Sequence, residues 1–365
     1  MNVDKTGCMR IMENVFGISS STKFVSIALA GIIKGEAWFN MVGNTPSLQA
    51  DSVINQRKLL KKDLSNKRRR KILANWQLYL LLVPAFVITA IFRYGPMYGI
   101  LYAFQDFDPI TGFLNSPWVG FKHFIDMFRF IKFWELIRNT LVLNFWNLLV
   151  NFPAPIILAI LINEIRAKHF KKAIQTISYL PYFISTVVVI GMLVQFTTPS
   201  SGIVGYLFRL VGAEPINFFA ESAWMVPIYV ISGLWKDVGW GSIIFLAGLS
   251  SIDTTLYEAA IVDGASRLKR VVHVSIPGIM PTIVIMFIFA VGNMMSINFE
   301  KILLMQRPIT YDTADVLQTY IYRAGIGNQQ WSPTTAMGLF QTIINALLLV
   351  FANFVSRKTN ETSLW

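Results

Sequence analysis

Residues 258–277 read EAAIVDGASRLKRVVHVSIP and lie between two long apolar segments of the chain. Thr254 to Asp263 favours a short helix, with Asp253 or Thr254 as its N-cap and Glu258 within its first turns. Gly264 can adopt the left-handed conformation that ends a helix. The stretch therefore predicts a structured loop that two membrane helices hold in place.

The second half of the same loop predicts how the chain returns to the membrane. Ala265 to Val274 is expected to form another short helix that leads to Pro277, where the next span begins. Pro281 fits the first turn of that span, since proline is tolerated at the start of a helix.

Composition favours a membrane protein. The chain has 365 residues, of which 54% are hydrophobic and 14% charged, with a mean hydropathy of +0.51. Its net charge of +12 comes from cations that flank apolar segments, so lipid headgroups are expected as partners and nucleic acid is not. The single cysteine, Cys8, excludes an intrachain disulfide, and nothing in the sequence has the spacing of a metal site. No phosphate-binding GxxxxGK[ST] loop is present, so the chain cannot be its own P-loop ATPase.

Six stretches are apolar enough to supply the roughly 20 residues that a spanning helix needs. They run from Gln77 to Phe104, Ile137 to Ile162, Ile174 to Thr197, Ala223 to Leu249, Pro281 to Met305 and Thr335 to Ser356. We therefore predict an all-α polytopic fold with six core spans.

Lysine and arginine residues set the predicted orientation. They crowd the approach to the first span, the second-to-third connection, the loop at 250–280 and the tail, and they are sparser elsewhere. The positive-inside rule then places both termini and the 250–280 loop in the cytosol.

Three domains follow from this pattern. Residues 1–75 are predicted to be a cytosolic extension that is disordered or lies on the membrane surface, since Phe24 to Ile33 is too short to span a bilayer. Met41 is an alternative start. Residues 76–356 are predicted to form the six-span domain that contains the 250–280 loop, and residues 357–365 a cytosolic tail.

The loop resembles the coupling loop of bacterial ABC-type import permeases. The shared pattern is E-A-A-x3-G-x9-I-x-L-P, with Val274 for Ile and Ile276 for Leu. Other stretches resemble the LplB-type branch of the maltose-type permeases, which serves complex oligosaccharides such as alginate, aldouronate and rhamnogalacturonan fragments. They are Trp118-Val119-Gly120-Phe121, Tyr179 to Ile184, Trp235-Lys236 and Asn298-Phe299-Glu300.

This resemblance implies a subunit of a binding-protein-dependent importer in the bacterial cytoplasmic (inner) membrane, with the transmembrane fold of type I ABC importers. It implies a paralogous second permease, two copies of an ABC ATPase, an extracytoplasmic solute-binding protein and an oligosaccharide substrate. The chain itself would hold no cofactor, because ATP and Mg would bind to the partner ATPases, and it would not be an enzyme. Alternating access is the implied mechanism. The residues implied in ATPase coupling are Glu258, Ala259, Ala260, Asp263, Gly264 and Pro277.

Polar groups at membrane depth are costly unless they pair or line water, so they are candidates for the solute pathway. We expect the pathway to include Asn293, Asn298, Glu300, Trp235, Lys236 and Trp240, although the tryptophans are equally well explained as packing residues. For the row Asn144, Asn147 and Asn151 we favour hydrogen bonds between helices. Lys236, Asp237, Glu300 and Lys301 are expected to pair across helices.

The three long loops, Gln105 to Glu135, Thr198 to Ser222 and Gln306 to Ser332, are predicted to dock the binding protein. Two other functions stay open on sequence grounds. An ion-coupled sugar carrier would need inverted repeats and an ion site, for which Glu300 is the sole candidate. A membrane-embedded enzyme acting on lipid-linked sugar would need clustered carboxylates, and Asp106, Asp108 and Asp126 are the one such cluster.

Overall fold

The computed structural model describes residues 74–360 and residue 364, so nearly all of the predicted N-terminal extension lies outside the described residues. Within them the chain is helical, apart from turns and one bridge between Gln105 and Trp118. The all-α prediction is confirmed.

Fifteen α-helices follow one another in the described part. They are α1 (Trp76–Thr89), α2 (Lys122–Arg129), α3 (Ile131–Asn151), α4 (Pro153–Asn163), α5 (Lys168–Tyr179), α6 (Thr186–Thr197), α7 (Ile203–Leu210), α8 (Met225–Ser250), α9 (Thr254–Val262), α10 (Arg267–Arg270), α11 (Ile276–Gly292), α12 (Phe299–Met305), α13 (Tyr311–Ala314), α14 (Leu317–Tyr322) and α15 (Trp331–Asn360).

Tighter or wider helical turns connect several of them. The 3₁₀ segments are Gly95–Phe104, Leu180–Phe183, Ser222–Trp224 and Pro308–Thr310. The π-helical segments are Ala90–Tyr94, Val271–Ser275 and Arg323–Gly327.

Five described helices are long and apolar enough to cross a membrane: Trp76–Phe104, Ile131–Asn163, Ser222–Ser250, Arg267–Gly292 and Trp331–Lys358. A sixth span is present if the bent pair Lys168–Phe183 and Thr186–Thr197 counts as one. The prediction of a single third span from Ile174 to Thr197 is therefore wrong in detail, because the two helices meet at 93°. Pro181 lies at this corner, and Ser185 caps α6 by accepting a hydrogen bond from the Val188 amide.

The predicted fifth span is also misplaced. Its helix runs from Arg267 to Gly292, so the short helix expected at Ala265–Val274 forms as the first turns of the span itself, and Pro277 and Pro281 lie inside that span. Hydropathy marks where a helix enters lipid, whereas the helix itself can start earlier in polar sequence. At the other end the chain leaves the helix at Asn293, well before the predicted Met305.

The chain divides into two compact units, residues 1–93 and residues 94–365. The first, as far as it is described, consists of α1 and the turn that follows. The second contains three buried apolar clusters. One joins α3, α6, α8 and α12, another joins α2, α3, α14 and α15, and the third joins α4, α8 and α11.

Candidate functional site

Residues 251–275 lie between α8 and α11, and we call them the lever loop. Their first helix, α9, is capped at its start and at its end. Asp253 caps α9, as predicted, because its Oδ1 accepts a hydrogen bond of 2.9 Å from the Thr255 amide. Gly264 ends the turn with a φ of +73°, which favours glycine over any residue with a Cβ. The Gly264 amide donates to the Ile261 carbonyl, and the next amide donates to the Ala260 carbonyl.

Two contacts attach the lever loop to the spans. The Tyr257 hydroxyl lies 2.9 Å from the Ser275 hydroxyl, which connects α9 to the first turns of the long helix ending at Gly292. The Ile252 side chain packs against Gly278, where an added Cβ would approach it to 2.5 Å. Both contacts join the lever loop to the helix that ends at Gly292.

The surface of the lever loop is open. Glu258, Ala259, Asp263 and Gly264 are exposed, and Ala260 is half-buried. Apolar side chains are exposed beside them, with 87% of Val262, 73% of Leu268 and 55% of Ile261 accessible. Exposed apolar side chains of this size are typical of surfaces that a partner protein or the membrane covers. Pro277 lies apart from this surface, on α11.

Asp253 is the titratable group that controls the start of α9. Its pKa is lowered, mainly because the Thr255 amide donates a hydrogen bond to the charged carboxylate. The cap is therefore ionised at neutral pH, where its charge also interacts favourably with the helix dipole.

The second feature is a non-helical segment that follows α11, residues 293–298, which we call the break. Its backbone is irregular, yet Met295 is 2% exposed and Ile297 8% exposed. Irregular backbone next to a membrane span is tolerated only where protein or a water-filled cavity satisfies its polar groups.

Amide side chains satisfy much of this backbone. Asn144 Nδ2 donates to the carbonyls of Met294 and Ser296, at 2.9 and 3.1 Å. From α15, Gln341 donates to the Met295 carbonyl and Asn345 accepts from the Met295 amide.

The remaining bonds come from α14 and α8. Gln318 accepts from the Ile297 amide, and the Tyr229 hydroxyl accepts from the Asn298 amide. Hydrogen bonding between helices, favoured for the asparagine row, is confirmed for Asn151, which donates to the Val230 carbonyl on α8, whereas Asn144 donates to the non-helical break. Asn147 accepts a bond from Asn151 on its own helix.

Lys301, three residues past the break, is buried and spans the gap to α8. Its Nζ donates a 2.6 Å hydrogen bond to the Tyr229 carbonyl and lies 4.4 Å from the centre of the Tyr229 ring. Lys301 therefore pairs across helices, as predicted, but its partners are a backbone carbonyl and an aromatic ring. Asn298 caps α12 by accepting from the Lys301 amide.

The predicted pathway residues fall into separate groups. Asn293, Asn298 and Glu300 lie at the break with exposed side chains, and Asn293 donates to the Phe289 carbonyl of its own helix. On α8, Trp240 stacks on Tyr182 at 4.6 Å with an interplanar angle of 6°, and Lys236 lies 5.7 Å from the same ring.

Trp235 lines a different surface, an almost wholly apolar cavity of about 490 Å³ between α6 and the start of α8. Through the stack of Tyr182 on Trp240, the 3₁₀ turn Leu180–Phe183 packs against α8. Sequence patterns alone did not identify Tyr182 as part of this group.

The buried carboxylate of Asp315 connects two of the three long loops, residues 105–135 and residues 306–332. Asp315 is 1% exposed and accepts from Arg323 at 2.6 Å and from the Thr319 hydroxyl, while Lys132 lies 3.5 Å away. Burial alone lowers the pKa of Arg323, but the hydrogen bond and charge of Asp315 outweigh burial and raise it. The same region connects to the loop before α8, because Ser222 donates to the Asp312 carboxylate.

Neither Asp315 nor Tyr229 nor Gln318 was identified as a structural residue from sequence, because a single charged, phenolic or amide side chain in a loop or helix gives no periodic signal. Among the described residues no group of three or more His, Cys, Asp or Glu side chains could hold a metal ion.

The sequence and the fold were compared with known proteins. Residues 151–361 match the family model described as binding-protein-dependent transport system inner membrane component. Protein LplB of Bacillus subtilis (strain 168) is 40% identical over 79% of this chain and 91% of its own length. The polygalacturonan/rhamnogalacturonan transport system permease protein YteP of the same organism is 38% identical over 84% of this chain and 96% of its own.

A solved structure has the same fold. It is a chain of a bacterial alginate ABC transporter in complex with alginate pentasaccharide-bound periplasmic protein. The match has a TM-score of 0.74 and 39% identity, and it covers 81% of this chain and 99% of that one.

Proposed function

This chain belongs to the family of binding-protein-dependent transport system inner membrane components, and on that premise we propose how its two special regions drive import. It is a multi-pass permease subunit of an ABC importer for oligosaccharides, and it is a transport subunit, not an enzyme. We propose that the solute is a fragment of a complex polysaccharide, which the names of the relatives support.

A solute-binding protein is its partner, as the family description states. We further propose a paralogous second permease, two copies of an ATPase that bind ATP and Mg, and surrounding membrane lipids. The membrane is the bacterial cytoplasmic (inner) membrane, with both termini and the lever loop in the cytosol. The cluster of lysine and arginine residues on that side supports this orientation.

The lever loop would dock on the ATPase through Glu258, Ala259, Ala260, Asp263 and Gly264. Three observations support this: α9 is capped at its start, turned sharply at Gly264, and flanked by exposed apolar side chains. Pro277 would act indirectly, within the helix that carries the displacement away.

That helix links the lever loop to the break. From Arg267 to Gly292 it has 26 residues, so it is about 39 Å long at 1.5 Å per residue. Closure of the ATPases would move α9, tilt this helix and shift the break, which opens the cavity to the other side. We place Asn293, Asn298, Glu300, Trp235, Lys236 and Trp240 along the solute pathway. Their partial exposure supports this assignment.

The long loops would dock the loaded binding protein. The Asp315 network supports that role, because it fixes the loop after α12 to the start of α3 and to the segment after α14. A loop held in one conformation binds a partner at a lower entropic cost.

The experiment is uptake of a labelled oligosaccharide into proteoliposomes that contain the assembled complex, with and without the ATPase. We expect uptake to need both ATPase and ATP. Glu258→Lys is expected to lower it about 100-fold, since misplacing a coupled element by an ångström has effects of that order. Glu164→Lys, the same charge reversal at the end of α4, is the matched control and should retain uptake. Uptake without the ATPase would contradict the proposal.

A further inference from the structure

One cavity has more polar groups in its walls than the two others described below. It has a volume of about 670 Å³ and lies between α14, the π-helical segment after it and the first half of α15. This volume is within the range of roughly 300–1,000 Å³ that small-molecule sites occupy. The cavities of about 490 and 360 Å³ elsewhere in the described residues have almost entirely apolar walls.

Three aromatic side chains line this cavity, namely Phe299, Tyr322 and Trp331. The Phe299 and Tyr322 rings lie 5.1 Å apart with a tilt of 55°, and 43% of Tyr322 is exposed. An aromatic face presents apolar surface to the C–H face of a sugar ring, while the Tyr322 hydroxyl can still form a hydrogen bond.

Two amides supply polar groups to the same walls. Gln318 uses its Oε1, and Gln341 its Nε2, to bind the backbone of the break. The other half of each amide has no protein partner among the described residues, which leaves one donor group and one acceptor.

An occupant must satisfy these groups. An acyl chain would leave amide donors and acceptors unpaired, at a cost of about 1–3 kcal/mol each. None of the side chains that line the cavity is charged, so a carboxylate or phosphate would meet no cation there.

We propose that this cavity is a sugar-binding subsite that takes one ring of the oligosaccharide through its C–H face and its hydroxyl groups. This inference rests on the proposed import function and adds a site away from α8. Gln318 and Gln341 line the cavity and also form hydrogen bonds to the backbone of the break. A sugar bound here would therefore contact side chains that hold the break, the segment that we propose the lever loop moves.

Gly338 offers a way to fill the cavity without removing any hydrogen bond. It lines the wall on α15, and a Cβ there would meet nothing within 4 Å. Leucine is also a better helix former than glycine, so Gly338→Leu should fold. The control is Leu347→Phe, which adds bulk at an exposed position of the same helix away from the cavity.

The assay is ATP-driven uptake by the assembled complex of a panel of neutral and acidic oligosaccharides, including trigalacturonate. We expect Gly338→Leu to raise KM about tenfold with kcat changed less than twofold, the pattern of lost binding in ground and transition states alike. Leu347→Phe should match wild type. Tyr322→Ala should raise KM similarly, whereas Tyr322→Phe should raise it less, because the ring remains and only the hydroxyl is lost.

The outcomes separate the two proposals. If the wild-type complex shows ATP-driven uptake and neither Gly338→Leu nor Tyr322→Ala changes KM, the subsite is wrong and the import function stands. A fall in kcat alone would also overturn the subsite, since it indicates a mechanical role. If wild type takes up no sugar of the panel with ATP, the proposed function fails.

Discussion

The lever loop and the break both depart from regular helix, yet they are stabilised in different ways. The lever loop closes its own ends, through Asp253 and Gly264, and leaves its surface exposed. The break is held from outside, by side chains of α3, α8, α14 and α15. The difference follows from their surroundings, because water can satisfy exposed backbone whereas buried backbone must find protein partners.

The comparison indicates a division of labour. A segment that docks on another protein must expose its surface, so its stability has to be local. A segment that moves with a spanning helix must exchange hydrogen bonds in a defined way, and side-chain amides allow this because they can re-form with neighbouring carbonyls. Substitutions of the side chains that hold the break should therefore affect folding, and substitutions in the lever loop should affect coupling.

The largest effect on stability is expected at Asn144. Replacing it with leucine removes donors to the Met294 and Ser296 carbonyls and leaves both underpaired in a buried site. At about 1 kcal/mol for each carbonyl, Asn144→Leu should destabilise the permease by about 2 kcal/mol. Thermal unfolding in detergent measures this loss.

Asn293→Leu is the control for that measurement, since Asn293 is exposed and donates to its own helix. We expect it to cost less than half as much. Equal losses for the two variants would show that the bonds to the break contribute no more than an ordinary helix-end contact.

A smaller and more local effect is expected at Gly264. A side chain at a φ of +73° costs about 1–2 kcal/mol, so Gly264→Val should loosen the end of α9 while the spans stay folded. Ala265→Val, at the next residue, is the control. Hydrogen exchange at the Gly264 and Ala265 amides reports the loosening, and uptake assays report the loss of coupling. Unchanged exchange would show that the loop can relax to accept the valine.

Much of this comparison could be predicted from the sequence, because its signals are local. Asp253, Gly264 and the apolar lengths of the spans are read directly from residue types and spacing. The asparagine row was interpretable too, since Asn144 is buried in a helix where a polar group needs a partner.

The rest depends on packing that no local pattern encodes. Hydropathy extended the fifth span to Met305, because Asn293 to Asn298 are followed by the mostly apolar helix Phe299–Met305. The chain departs from helix at residues 293–298 because side chains from other helices form hydrogen bonds to its backbone there. The carboxylate of Asp315 is likewise explained only by Arg323 and Lys132, and Lys132 is distant from it in sequence.

The smallest effect is expected at the N-cap of α9, where pH provides the test. The pKa of Asp253 is lowered by its bond from the Thr255 amide, so its stabilisation is present at neutral pH and is lost as pH falls through that lowered value. Protection of the Thr255 amide from hydrogen exchange should therefore decline only as the pH falls below about 4, the ordinary pKa of an aspartate. Asp253→Asn keeps an equally good cap without the titration and should show a flat profile. A decline of the same size in the asparagine variant would show that the pH dependence does not come from the Asp253 carboxylate, and that the charge of the cap does not stabilise the start of the lever loop.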